Sequence, residues 1–556
     1  MHLRTVVAAS LLLVLAACGD PPPRAPDAPA PAATTPAAAP ARPAAPRART
    51  GEVLWKLDLS DPAKRPGKLP AGAAWADEGP GGKPCFRITV PPEAGKGMHV
   101  VSIPVDVTPW RGMVVSLACQ AKADGVSEPP VSWNGIKCML HCKSASAGDL
   151  WVNEGKVFGT FDWRTLTASA SIPEDATDGA IMLGMQECAG TARLAEVTVT
   201  ALAVRPVRPP PPVNPPAAYK GHDLPRLRGV MSPNKFDEKD FADLAAMNVN
   251  AVRWQIGRNW GKTGGERDLA EYDKWLDGKL DELALALEAG RKHGIKLMID
   301  IHAPPGGRLP DGTMAMVLEQ PFQDHFVVIW ERIARRFKGH PAVWAYDLVN
   351  EPVQNKPSPA GLGDWLGVQV KAAKAIRAID PVTAISIEVD AWDNPQRFAW
   401  LEPVDIPNVI YQAHMYWPGE FTHQGVHNTW GEQAAGGKLE YPGTFNKRPL
   451  DREALRRYLQ PVRDFQLAYN AHIVIGEFSA VRWATGADQY LADCTAIFEE
   501  YGWDWTYHAF REWGGWSFEA ADLPYDKGSH PKSPTPTRRA QALMAWFTQN
   551  VRKPQP

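Results

Sequence analysis

Glu351 and Glu477 each stand at the end of a short apolar run, Val343-Trp344-Ala345-Tyr346-Asp347-Leu348-Val349-Asn350-Glu351-Pro352 and Ile473-Val474-Ile475-Gly476-Glu477. A carboxylate delivered to the end of an apolar strand must be desolvated, and that cost needs a reason. Two carboxylates meeting in one pocket can divide acid and base work: like charges repel, so one keeps its proton while the other stays bare. Pro352 lacks a backbone donor and suits a strand exit, and Gly476 removes a side chain beside Glu477, leaving room for a ligand. Asn350 faces away from Glu351 in an ideal strand, but a bulge at the exit brings both into one pocket. Arg253, His302, His414 and Tyr416 also follow apolar runs. For either glutamate alone, a buried ion pair with Arg253 or a helix cap stays open, and for either histidine a satisfied structural role.

These residues need a scaffold that gathers strand ends. From about residue 227 short apolar runs alternate with longer amphipathic ones. Strands are expected at 227–231, 250–255, 296–301, 343–349, 384–389, 409–414, 473–475 and 503–507, with helices such as 276–292, 322–337, 363–379 and 452–470 between them. Eight such βα units make a (β/α)₈ barrel, whose working residues sit where the strands exit. The eight exits then carry the polar residues named above, with Glu351 after the fourth strand and Glu477 after the seventh.

The 556 residues exceed what one core holds, so a second domain is expected. A charged n-region with Arg4 and an apolar stretch, Val6 to Ala17, read as an export signal too short to span a bilayer. Leu15-Ala16-Ala17-Cys18 resembles a bacterial lipobox, which makes residues 1–17 a signal peptide and Cys18 the lipidated N-terminus; an ordinary cleaved signal is the alternative. Gly19 after Cys18 favours the outer membrane in a two-membrane cell, by the same resemblance. Residues 18–50, rich in Pro and Ala, are expected to be an extended tether. Residues 51–205 carry short β-branched runs between Pro, Gly and Asp turns, which reads as a β-sandwich resembling a jelly-roll carbohydrate-binding module; a spacer without ligand is the alternative. A proline-rich linker, 206–222, precedes the barrel at 223–552. Five of the six cysteines beyond Cys18 fall before residue 200, so the sandwich has room for two disulfides whose pairing stays open. Cys138 to Cys142 lacks a second ligand pair for a metal. A net charge of −2, from 60 basic and 62 acidic residues, excludes the basic footprint of a nucleic-acid binder.

The strand-end set resembles glycoside hydrolase family 5 over residues 227–546. The matching positions are Val252-Arg253-Trp254, Asp300-Ile301-His302, Asn350-Glu351, His414-Met415-Tyr416 and Glu477. The resemblance implies a retaining endo-β-glycosidase acting by double displacement: Glu351 as acid/base, Glu477 as nucleophile, Arg253, His302, Asn350, His414 and Tyr416 on substrate or nucleophile. A β-1,4-glucan of cellulose type is the expected substrate, with mannan, xyloglucan or xylan as alternatives, a transglycosylase as a variant, and a non-catalytic glycan-binding lipoprotein as the reading from another class. One position departs: Trp505-Thr506-Tyr507-His508 puts His508 where the family carries a tryptophan platform, and Trp513 or Trp516 is expected to replace it. Trp392 and Trp417 are further candidate platforms, and 419–448 a candidate cleft wall. Carboxylate chemistry implies no cofactor and no metal. A monomer in the cell envelope, lipid-anchored or secreted, is expected.

Overall fold

The computed structural model describes residues 48–62, 65–66, 68–232, 235–258, 265–426, 438–524 and 529–554. The signal segment, Cys18 and nearly all of the tether lie outside the described residues. Among the described residues no helix is long and apolar enough to cross a membrane.

The C-terminal region is a closed parallel barrel of eight strands. These are β1 (Arg228–Met231), β2 (Ala251–Gln255), β3 (Lys296–Asp300), β4 (Val343–Asp347), β5 (Ala384–Glu388), β6 (Val409–Met415), β7 (Ile473–Phe478) and β8 (Asp504–Tyr507). Period-two alternation explains what each strand does. The outward residues Val252, Ile299, Tyr346, Ile385, Ile387, Tyr411 and Ile475 join the core packed under the surrounding helices. The inward residues Ala251, Met298, Ala345, Ala384, Ile410 and Val474 form a separate apolar plug at the barrel's lower end. Two and four residues further along, the same inward faces carry Arg253, Asp300, Asp347, Ser386, Glu388, Gln412 and His414, all buried. The barrel interior therefore turns from apolar to polar toward its C-terminal face, where active sites of this architecture sit.

The helices are closed by their own chemistry. Helix Leu269–His293 starts on Asp268, whose carboxylate accepts from Ala270 and Glu271 N–H, and ends on three basic residues and left-handed Gly294. Trp365–Ile379 and Arg452–Tyr469 start on Asp364 and Asp451 in the same way.

The N-terminal region holds two antiparallel sheets of six and four strands. Strands Met113–Val126 and Gly159–Ser171 lie in the first, Gly135–Lys143 and Leu150–Val152 in the second. Residues from both, such as Val115, Leu117, Leu166, Leu140 and Ile181, share one core. The six cysteines beyond Cys18 are all free and buried. The proline run 208–216, inside the expected linker, lies along the barrel. Arg208 donates to the carbonyls of Phe398 and Pro461, Asn470 Nδ2 donates to Pro216 O at 2.8 Å, and the Tyr219 hydroxyl donates to Val382 O at 2.6 Å.

Candidate active site

The upper end of the barrel opens into a cavity of about 700 Å³. Its floor carries Glu351, Glu477, His302, His414, Tyr416 and His508, and its walls include Trp392, Trp417 and Trp516. An oxygen of Glu351, one of Glu477 and a nitrogen of His414 all lie within 4.8 Å of one another.

The two glutamates reach this point by different backbone routes. Strand β4 ends at Asp347, four residues short of Glu351, so Glu351 stands in the turn beyond the strand rather than at its tip. Its φ of 49° lies in the left-handed region, which strains a residue bearing a side chain. The turn is held from two sides: Glu351 N–H donates to Glu388 Oε2 at 2.5 Å, and Arg308 Nη2 donates to the carbonyls of Asn350 and Glu351 at 3.0 and 2.9 Å. Glu477 lies within β7, which runs three residues past the expected end. There the β6–β7 register slips, Ala413 pairing with Ile475 and His414 with Glu477, so Gly476 is an extra residue. A Cβ on Gly476 would come within 2.4 Å of the Gln412 amide. The glycine thus makes room for Gln412, not for a ligand.

Glu477 is surrounded by donors. Arg253 Nη1 donates to Oε1 at 2.6 Å, the Tyr416 hydroxyl donates to Oε2 at 2.9 Å, and His508 Nδ1 is 3.0 Å from Oε2. Burial opposes the charge on Glu477, but His414, His508 and Arg253 together hold its carboxyl well below the usual range. Burial likewise opposes a charge on His508, yet Glu512 and Glu477, one against each ring nitrogen, push it up to about 10. Burial, then Glu477 and Glu351, push the Tyr416 phenol well above its ordinary value, so it stays a donor. His414 joins the pair: its Nδ1 is 3.1 Å from Glu351 Oε1 and 3.8 Å from Glu477 Oε2.

Arg253, expected on substrate or nucleophile, and Asn350, expected on the substrate, do not line the cavity. The Arg253 guanidinium is 0 % exposed and is spent on Glu477, Asp347, Glu388 and Asn350. Asn350 Oδ1 accepts from it at 3.0 Å, and Asn350 Nδ2 is 3.2 Å from His302 Nε2. Both position other groups from behind. Trp513 is also displaced from its expected role: it packs edge-on against Trp516 at 5.1 Å and against Trp483. Trp516 lines the cavity and lies over Tyr416 and His508. Trp392 is 49 % exposed, and Trp417 is stacked on Tyr458 at 4.8 Å. Of the segment 419–448, Gly419, Glu420 and His423 line the cavity, and 427–437 lie outside the described residues.

Sequence reasoning missed Glu388, Asp393, Arg308 and Glu512. Glu388 ends β5 just as other strands end in polar residues, so the strand-exit argument reaches it; Arg308 and Glu512 sit in loops that carry no such signal. Burial and neighbouring carboxylates raise Glu388 and Asp393 well above the usual range. Among the described residues, Glu388, Asp393 and His414 have ligand atoms close enough to consider a metal, as do His222, His472 and Asp504. The Glu388 oxygens already accept from Arg253, Gln412 and Glu351 N–H, and Asp504 from both its histidines and Leu227 N–H.

Endoglucanase C of Acetivibrio thermocellus is 27 % identical over 298 residues, covering 49 % of this chain and 84 % of that protein. Cellodextrinase A of Ruminococcus flavefaciens is 29 % identical over 202 residues, 35 % of this chain and 55 % of that protein. A solved structure of a glycoside hydrolase shares 22 % identity, covers 58 % of this chain and 99 % of its own, and superposes with a TM-score of 0.45. The family described as Cellulase (glycosyl hydrolase family 5) matches residues 217–518, more than half of the sequence and all eight barrel strands. This chain belongs to glycoside hydrolase family 5 and is a hydrolase of O-glycosyl bonds.

Proposed function

We propose that the chain is a retaining endo-β-glycosidase that cleaves a β-1,4-linked glucan of cellulose type. The observation that carries this reading is the pair of carboxylate oxygens, on Glu351 and Glu477, no more than 4.8 Å apart on one cavity floor. Retaining enzymes hold their carboxyls roughly 5–5.5 Å apart, whereas inverting ones need roughly 6.5–9.5 Å to admit a water. The relatives named for endoglucanase and cellodextrinase activity support the glucan.

Glu477, kept bare by Arg253, His414 and His508, attacks the anomeric carbon as the bond to the leaving oxygen breaks. Glu351 gives its proton to that oxygen. Water then bonds to the anomeric carbon, its proton passes to Glu351, and the Glu477 carboxylate is released. Tyr416 and Arg253 keep Glu477 aimed, His302 and His414 face the bound sugar, and Trp392, Trp417 and Trp516 offer flat apolar faces to sugar rings.

The N-terminal sheets are assigned as a jelly-roll-like glycan-binding module, supported by Trp133 and Trp151, which are 40 % and 51 % exposed. The lipobox-like Cys18 supports lipid anchoring in the cell envelope. Cys18→Ala should move the protein from the membrane to the soluble fraction.

Product analysis on soluble β-glucans, mannans and xylans tests the substrate. Internal cleavage of β-1,4-glucan is expected. Preferential cleavage of mannan, xyloglucan or xylan would reassign the specificity, and binding without cleavage of any of them would make this a capture protein. Glu351→Ala should lower kcat by about 10²–10⁴-fold on the natural substrate.

A further inference from the structure

The strand Gly159–Ser171 ends in strict alternation, Thr165-Leu166-Thr167-Ala168-Ser169-Ala170-Ser171. Leu166 and Ala170 point into the module's own core. The opposite face is therefore a stripe of hydroxyls, continued on the neighbouring strand by Ser116, which pairs with Ser169. An outward serine would ordinarily be wet, but Ser116 is 1 % exposed and Thr167 4 %. What buries them is the catalytic side of the barrel.

Three of these hydroxyls meet the loops around Glu351. Ser116 Oγ donates to Asn355 O at 2.6 Å, Ser169 Oγ donates to Asn355 Oδ1 at 2.7 Å, and Thr167 Oγ1 donates to Asp311 Oδ2 at 2.6 Å. Asn355 lies four residues after Glu351, and its Nδ2 donates to Asp311 O at 2.7 Å, tying the two loops together. The Asp311 loop carries Arg308, which grips Gly312 O at 3.3 Å, the carbonyls of Asn350 and Glu351, and the face of Trp392 at 4.6 Å. A strained backbone persists only where its surroundings over-determine it, and Glu351 is the strained residue these loops enclose. The module also touches the segment after β6, where Arg448 donates to the carbonyls of Ala145 and Ser146.

We propose that Ser116, Thr167 and Ser169 of the N-terminal module are positioning residues for the acid/base carboxylate of Glu351, acting through Asn355 and Asp311. The module is then part of the catalytic apparatus and not only an appended binding unit. This rests on the reading of Glu351 as acid/base.

The test uses the full chain and two aryl β-cellobiosides, one with phenol and one with 2,4-dinitrophenol as leaving group. Phenol departs only with protonation, whereas dinitrophenolate leaves without it, so a displaced acid shows as a loss confined to the first. Ser116→Ala/Thr167→Ala/Ser169→Ala should lower kcat/KM on the phenyl substrate by about 5–10-fold and leave the dinitrophenyl value within about 2-fold. Thr167→Ser, which keeps the hydroxyl, should match the parent. Equal loss on both substrates, or loss on neither, overturns the proposal. If the triple variant does not fold, Asn355→Ala, which removes the Ser169 contact at Oδ1 and the tie to Asp311 O from the barrel side, must show the same split. Glu351→Ala is the reference: were its loss equal on both substrates, the acid/base reading would fall, and this inference with it.

Discussion

His508 is held between two carboxylates, Glu477 on Nδ1 and Glu512 on Nε2, in the place where the family's tryptophan platform is expected. Both ring nitrogens face anions, so both carry hydrogen and the ring is cationic. Glu477 thereby gains a charged partner beside Arg253, and the indole that lines the cavity here is that of Trp516. The consequence for stability follows from the direction of the shift. A histidine whose folded value is pushed up to about 10 contributes stability that is complete below about 6.5, its unfolded value, and vanishes as pH rises through 10. His508→Gln should therefore melt below the parent at pH 6.5, with the gap closing toward pH 10; a gap that stays constant would show that the ring is neutral. The sequence made Glu351, Glu477, His414 and Tyr416 legible because each follows an apolar run directly. Their supports were not legible in the same way. Arg253 was left between substrate and nucleophile because polarity at a strand tells nothing of depth, and here its guanidinium lies beneath the cavity floor among four partners.

Elements that obey a period were readable, and those that bend were not. Eight strands fell where apolar runs predicted, because inward and outward faces alternate along each. The exits of β4 and β7 broke the pattern: one leaves the strand early through a left-handed turn, the other adds Gly476 as a bulge. Each lies at a strand's last residues, where too few positions remain for a shifted alternation to be read from the sequence. The segment after β8 has no period at all, which is why the sequence left Trp513 and Trp516 as alternatives; Trp516 is the one that lines the cavity. Gly476→Ala tests the bulge. Its Cβ would meet the Gln412 amide at 2.4 Å, and Gln412 Nε2 donates to Asp347 at 3.0 Å, so the clash reaches the network under Glu477. A loss of about 1–3 kcal/mol in denaturant unfolding is expected, together with reduced kcat. An unchanged kcat would show that the bulge does not aim Glu477.

Across the whole molecule, the segment joining module to barrel is fastened rather than loose. His222 Nε2 and His472 Nε2 each lie 2.7 Å from the same oxygen of Asp504, at the start of β8 and far end of the barrel from the cavity. Burial opposes the charge on Asp504, but His472 and His222 hold it well below the usual carboxylate range. A depressed carboxyl contributes stability that is present above its unfolded value of about 3.9 and is lost as pH falls. Asp504→Asn should thus melt well below the parent at pH 7, with the difference narrowing as the pH falls below about 4. A difference independent of pH would remove the charge from the explanation. The account as a whole depends on a covalent bond forming at one side chain. A 2-deoxy-2-fluoro β-cellobioside with dinitrophenolate as leaving group should trap the glycosyl-enzyme, and mass spectrometry of the peptides should place the sugar on Glu477. An adduct on any other residue, or no adduct together with an inverted product anomer by NMR, would contradict it.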